Sequence, residues 1–196
     1  RPNAPTGNAF PLATMRRVCE EFRGIVWIDE AYVDFAENSC VDFVRDFPHV
    51  VVSRTVSKSY SLAGLRLGLA YAQPELITEM LKVKDSYNVD MLAQVLGKAA
   101  LQDREYMLAN ARRICQTRER VSQSLANLGF AVLPSQANFI LARPPLPAAD
   151  MFAALRQRGF LVRYFGHERI CDYIRITIGT DTDMDAFVVA VATILG

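Results

Sequence analysis

Lys58 stands in Thr55-Val56-Ser57-Lys58-Ser59-Tyr60, a hydroxyl-rich stretch that follows the apolar run Val50-Val51-Val52. A lysine at the carboxyl end of a buried strand can act as a nucleophilic amine toward a carbonyl, and that edge of an open α/β sheet is where ligands bind. Taken alone, it reads as a surface lysine in a polar loop. Its neighbours shift the reading. Thr55 and Ser57 offer hydroxyl donors, Gly64 would let the backbone come close, and Arg66, eight residues on, carries a forked donor suited to phosphate. Together they read as a phosphate cup beside a reactive amine. Asp29 closes a second apolar run, Ile25-Val26-Trp27-Ile28, so its carboxylate falls at the same sheet edge. There it can hold a pyridinium proton and keep a cofactor ring cationic, or it can cap a turn, a common role for Asp after a strand. Tyr32, three residues further, can donate its phenol hydrogen to a ring oxygen.

These residues need a scaffold, and the hydrophobic pattern supplies one. Residues 11–22 carry apolar positions at helical spacing, with Asn8 or Thr6 as candidate caps and Gly24 as the stop. The runs at 25–28, 50–52 and 67–71 are short and continuous, as expected of strands buried on both faces. Strands alternating with helical stretches predict an α/β domain with a mostly parallel sheet. From Pro74 to about Leu128 the pattern is helical, broken near 85–90 and around Asp103, and Gly129 caps it. Strand candidates follow at 130–133, 139–141, 161–164 and 173–178, with helices at 151–157 and 183–195. The expected domains are residues 1–82 as part of a large α/β domain, 83–125 as long connecting helices, and 126–196 as a small α+β domain.

Composition narrows the function classes. The 196 residues are 51% hydrophobic and 22% charged, as in an ordinary globular protein. Twenty-two Lys and Arg against 21 Asp and Glu leave a net charge of +1, which argues against a nucleic-acid or membrane-surface binder. The four cysteines lie far apart and predict reduced thiols in a cytoplasmic protein. The only histidines, His49 and His167, have no ligand-spaced partners, so no metal site is expected. Arg112, Arg113, Arg118 and Arg120, interleaved with Glu119, read as a solvated helix face, and Met80, Met91 and Met107 as core or interdomain contacts.

The motifs Pro2-Asn3-Ala4-Pro5-Thr6-Gly7, Asp29-Glu30-Ala31-Tyr32, residues 57–68 (SKSYSLAGLRLG) and residues 175–180 (RITIGT) occur in that order. As a set the sequence resembles the fold-type I aminotransferases that use pyridoxal 5′-phosphate. Within them it is similar to the histidinol-phosphate aminotransferases through the tyrosine after DEA and residues 84–89, 135–139 and 161–165. The resemblance covers the whole chain. It implies the second half of a large PLP-binding domain followed by the small C-terminal domain, in a cytoplasmic homodimer acting on an amino acid or amino-phosphate ester and a 2-oxo acid. Lys58 would hold the cofactor and move a proton. Asp29 would pair with the pyridine nitrogen, Tyr32 would lie by the ring oxygen, and Thr55, Ser57 and Arg66 would bind the phosphate. Arg175 would clamp a substrate carboxylate, with Asn138 approaching it. Arg163 would reach an anionic substrate side chain or else pair with Asp172 or Glu168. Tyr87 and Asn88 would stand by the active site, or serve as a core aromatic and a helix cap.

Two departures qualify the resemblance. The family usually has Asn immediately before PTG; here that position is Ala4, and Asn3, one residue earlier, is the candidate for the ring contact. The family also carries a further stretch before this loop. The chain is therefore expected to be a fragment that associates with its missing half or with another copy. Three readings follow: a histidinol-phosphate aminotransferase, a different fold-type I enzyme such as an aromatic transaminase or a decarboxylase, and a non-catalytic fragment.

Overall fold

The structure, a computed structural model, describes residues 1–196. The chain divides into two units, Arg1–Pro2 with Ala9–Ala111, and Asn3–Asn8 with Arg112–Gly196.

In the first unit, Leu12, Met15 and Cys19 recur on one face of α1 (Leu12–Glu21) and pack with Val26, Ile28, Cys40, Phe43, Val50 and Val52. Pro11 occupies the position before the helix, while the Thr6 hydroxyl donates to Asn8, so neither predicted residue caps it. His49 is half-buried, its Nε2 2.9 Å from the Cys19 carbonyl oxygen. Strand β1 (Val26–Asp29) runs parallel to β2 (Val50–Thr55), pairing Val26 with Val50 and Asp29 with Ser53. A short helix, α2 (Phe43–Asp46), lies in the connection between them.

Strand β3 (Gly68–Tyr71) is antiparallel to β2, with Thr55 opposite Gly68. The expected mostly parallel sheet is thus one parallel and one antiparallel ladder. The link from β2 to β3 holds a turn and a 3₁₀ turn at Ala63–Leu65, without the α-helix that usually carries a parallel crossover. The expectation of strands covered on both faces holds for Val50, Val51 and Val52 of β2, all buried, and fails for β1 and for the exposed β3. Val26 and Ile28 face the α1 core, but Ile25 and Trp27 are each more than half exposed. On that second face α3 (Pro74–Val83) leaves an apolar groove lined by Trp27, Val51, Leu76 and Met80. Helix α4 (Met91–Gln102) opens on Asp90, whose carboxylate accepts from the Ala93 N–H at 2.9 Å. Met107 is buried, but Met91 is exposed rather than core.

Helix α5 (Arg104–Asn127) carries the division between the units and ends in a Schellman motif. The Phe130 N–H reaches the Leu125 carbonyl and the Gly129 N–H that of Ala126, both at 3.0 Å. Gly129 has φ +86°, a left-handed cap that glycine adopts without penalty.

In the second unit, strands β4 (Ala131–Val132), β5 (Phe139–Arg143), β6 (Arg163–Tyr164) and β7 (Ile174–Thr177) form a wholly antiparallel sheet in the order β4-β5-β7-β6. Ile140, Ala142, Ile174 and Ile176 face a core shared with Leu125 of α5, Met151 and Leu155 of α6 (Ala148–Gln157), and Phe187 of α7 (Asp181–Leu195). Period-two alternation turns Phe139, Leu141 and Arg175 to the other face.

Thr180 caps α7, accepting from the Asp183 N–H at 3.2 Å. Thr180→Ala leaves that N–H without its acceptor and is expected to cost about 1 kcal/mol in urea unfolding followed by circular dichroism. An unchanged midpoint would remove the cap from the account.

Candidate active site

In the first unit, Asp29, Ser53 and Thr55 project to the same face of the β1–β2 ladder as Trp27, because they share its parity. The Trp27 indole N–H donates to Ser53 Oγ at 2.9 Å. Asp29 is exposed at the end of β1. Its Oδ1 accepts from the Ala31 N–H at 2.8 Å, while Oδ2 has no partner. The turn-capping role is therefore real, and it uses only one of the two carboxylate oxygens.

Lys58 is half-buried in the turn after β2, its Nζ 5.4 Å from the centroid of the Tyr32 ring. No carboxylate pairs with that amine. The Ser57 N–H and the Thr55 hydroxyl close a local turn, at 3.1 Å from Ser57 N to Thr55 Oγ1 and 2.9 Å from Thr55 Oγ1 to Ser57 Oγ. The Thr55–Gly68 pairing returns the chain to this level, which brings Arg66 beside the turn. Arg66 takes the left-handed conformation, φ 53°, and donates from its guanidinium to the Ala63 carbonyl at 2.8 Å. Gly64 meets no other part of the chain: a Cβ there would have nothing within 4 Å. The close approach is at Gly97, where a Cβ would lie 2.3 Å from Leu67 Cδ2. Tyr87 and Asn88 are exposed in the α3–α4 connection, and no hydrogen bond ties them to Lys58, Asp29 or Tyr32. At 84% exposure Tyr87 is not a core aromatic.

In the second unit, Arg163 and Arg175 sit directly opposite each other across β6 and β7. Both guanidiniums lie over the Phe165 ring, at 5.6 and 6.0 Å, and Arg175 also lies 5.1 Å from the Phe139 centroid. Like charges paired across strands repel, and neither arginine has a carboxylate; Arg163 makes no ion pair with Asp172 or Glu168. The Nε of Arg175 is buried with no hydrogen-bond partner. A buried donor left unmade costs about 1–3 kcal/mol, so this pair is suited to an anion. The Asn138 carbonyl accepts from the Ile178 N–H at 2.9 Å, and the Asn138 side-chain amide makes no hydrogen bond within the chain. Asn3 turns into its own loop, its Nδ2 donating to Thr6 Oγ1 at 2.7 Å. That loop docks on the segment before β5, with the Gln136 N–H 2.8 Å from the Gly7 carbonyl oxygen. A Cβ at Gly7 would lie 2.4 Å from Ser135 Oγ, so only glycine fits.

Two buried polar residues escape sequence reasoning. Glu30 is wholly buried, accepting from Ser39 Oγ at 2.9 Å, the Cys40 N–H at 2.5 Å, and Arg54 Nε and NH2 at 3.1 and 2.9 Å. Arg118 is 8% exposed rather than solvated, with NH1 donating to the Ala137 carbonyl at 2.9 Å. Its place on α5, one helical turn from partly buried Ile114 and buried Val121, was the available signal.

A parallel ladder ending in Asp29 and a lysine turn, in a chain that closes with a small antiparallel domain, defines a class. The chain belongs to the aminotransferase class I and II family, whose profile matches residues 1–191. It is 48% identical over 196 residues to the histidinol-phosphate aminotransferase of Synechocystis sp., covering 100% of this chain and 56% of that protein. The chain thus spans about half the length of the curated relatives it matches. Among solved structures it is similar to the histidinol-phosphate aminotransferase of Sinorhizobium meliloti in complex with pyridoxal-5′-phosphate, with a TM-score of 0.89 and 25% identity over 100% of this chain and 55% of that one. An L-threonine-O-3-phosphate decarboxylase from Porphyromonas gingivalis superposes with a TM-score of 0.87 at 23% identity, over 100% of this chain and 62% of that one, a likeness of fold alone.

Proposed function

We propose that this chain is the C-terminal portion of a pyridoxal 5′-phosphate-dependent aminotransferase exchanging an amino group between histidinol phosphate and 2-oxoglutarate, with glutamate as the other product. The observation that carries the reading is Lys58: a half-buried amine at the end of β2, against Tyr32, with no carboxylate to neutralise it.

The residues fit the cofactor. Asp29 keeps Oδ2 free to hold a ring-nitrogen proton, and Thr55, Ser57 and Arg66 gather donors suited to a phosphate. When bound, pyridoxal 5′-phosphate supplies a carbonyl for the amine and a cationic ring that accepts the electron pair left at a substrate carbon. Lys58 Nζ would take the proton from that substrate carbon and hold it until it is handed back. Tyr32 orients the ring through its phenol. Arg175 and Arg163 recognise anions: two carboxylates in glutamate or 2-oxoglutarate, and the phosphate of histidinol phosphate, which has no carboxylate. By resemblance, Asn138 offers its amide to the same carboxylate as Arg175. Tyr87, Asn88 and Asn3 remain assigned by resemblance, as does the homodimer.

The test is to add pyridoxal 5′-phosphate to the purified chain, reduce with borohydride and map the product by mass spectrometry. A single pyridoxyl group on Lys58 is expected. Labelling scattered over Lys82, Lys84 and Lys98 would overturn the claim that this chain builds the pocket.

A further inference from the structure

Just past β1, the Glu30 N–H makes a backbone bond to the carbonyl of Ser53 in β2, at 2.8 Å. Tyr32 and Lys58 both lie beyond it, on separate turns. A side-chain bond joins those turns. The Ser59 hydroxyl, on a residue 6% exposed, donates to Asp34 Oδ2. Asp34 stands two residues after Tyr32, in a 3₁₀ turn (Val33–Phe35) whose first carbonyls bond back to the Ala36 and Phe35 N–H groups. Ser59 stands one residue after Lys58, in a turn closed by the Ser61 N–H on the Lys58 carbonyl at 3.1 Å. A bond from 34 to 59 therefore crosses the gap left where the ladder ends and fixes one turn against the other.

We propose that Asp34 and Ser59 are a positioning pair that holds the Lys58 amine over Tyr32, so that it meets a bound aldehyde in a fixed geometry. This rests on the reading of Lys58 as the reactive amine. Neither residue touches the cofactor in this account; both act through Lys58. A buried hydroxyl needs an acceptor, and Asp34 supplies a charged one, which makes the bond stronger than a neutral pair. Burial, with the charge of Asp34 added, pushes the Tyr60 phenol above its ordinary range. Fixing a reactant's approach is worth large rate factors, and displacement by about 1 Å can cost about 100-fold.

The experiment compares Ser59→Ala, Asp34→Ala, the double variant and Asp34→Asn, which keeps an acceptor oxygen. The rate of borohydride-fixed pyridoxyl labelling at Lys58 is followed, with Lys82, Lys84 and Lys98 as internal controls and thermal melting as a check on folding. Each alanine variant is expected to slow Lys58 labelling about tenfold with the other lysines unchanged. The double variant should be no slower than either, and Asp34→Asn should recover to within about threefold. Amide exchange of residues 57–61, measured without cofactor, should quicken in both alanine variants. Parent-like labelling in Ser59→Ala, a double variant that falls by the product of the singles, or no recovery in Asp34→Asn would overturn the pair. If the parent fails to label selectively at Lys58, the claim that this chain builds the pocket falls; the tie between the turns is then decided by exchange, and unchanged exchange would overturn it.

Discussion

Lys58→Ala is expected to lose the borohydride-fixed pyridoxyl group completely and to lower amino transfer from glutamate by at least the factor of about 10²–10⁴ that a positioned proton-transfer group contributes. The loss should exceed that of any other single lysine. Lys58 is the one amine held half-buried against an aromatic ring without a carboxylate, whereas Lys82 pairs with Glu79 and Lys84 donates to backbone carbonyls. The substitution should leave the fold intact, because what it removes is a cation–ring contact worth about 0.5–1 kcal/mol at a partly exposed site. Melting and near-ultraviolet circular dichroism should match the parent. Assays of the parent and variant side by side decide the matter: a Lys58→Ala chain that binds pyridoxal 5′-phosphate and still transfers amino groups would remove Lys58 from the chemistry.

The placement of Lys58 and Asp29 was legible because both follow continuous apolar runs, and a polar residue ending such a run must fall at a strand's end. The helical stretch after Pro74 was legible for a similar reason. Its breaks at 84–90 and at Asp103 coincide with loss of apolar periodicity and with a helix-capping Asp. What periodicity cannot report is partnership across the chain. The antiparallel direction of β3 is one example: its twelve-residue connection carries no α-helix, and its length alone does not set the direction. Ile25 and Trp27 carry the composition of doubly covered strand residues, but coverage depends on elements elsewhere. The pairing of Arg163 with Arg175 requires the register of β6 on β7, which eleven intervening residues of sequence do not specify. Likewise Asp34 meets Ser59 only because the two strands before them are parallel neighbours.

Glu30 is the other residue whose loss should be severe, and the effect should appear in stability before it appears in chemistry. It follows Asp29 directly, but alternation sends it to the opposite side, toward the core of α1, Cys40 and Phe43. A carboxylate with no exposed surface is tolerated there because its lone pairs are occupied by the Arg54 fork, the Ser39 hydroxyl and the Cys40 N–H. Glu30→Ala removes all of these acceptors at once. The Cys40 N–H is then left buried without a partner, and Arg54, about a quarter exposed, keeps a charge it can only partly return to water. A cost of about 3 kcal/mol is expected, at the lower end of the range for breaking a buried pair because of that residual access. Glu30→Gln keeps one acceptor oxygen and the side-chain volume, so its cost should be smaller. The segment carrying Asp29 and Tyr32 is anchored at one end by this cluster, since Ser39 and Cys40 close the loop that begins at Ala31. Urea unfolding of the two variants measures the effect, and amide exchange over residues 29–40 should quicken in the same order. If Glu30→Ala unfolds at the parent's midpoint, the buried cluster does not anchor that loop, and the position of Asp29 must be set by the β1–β2 ladder alone.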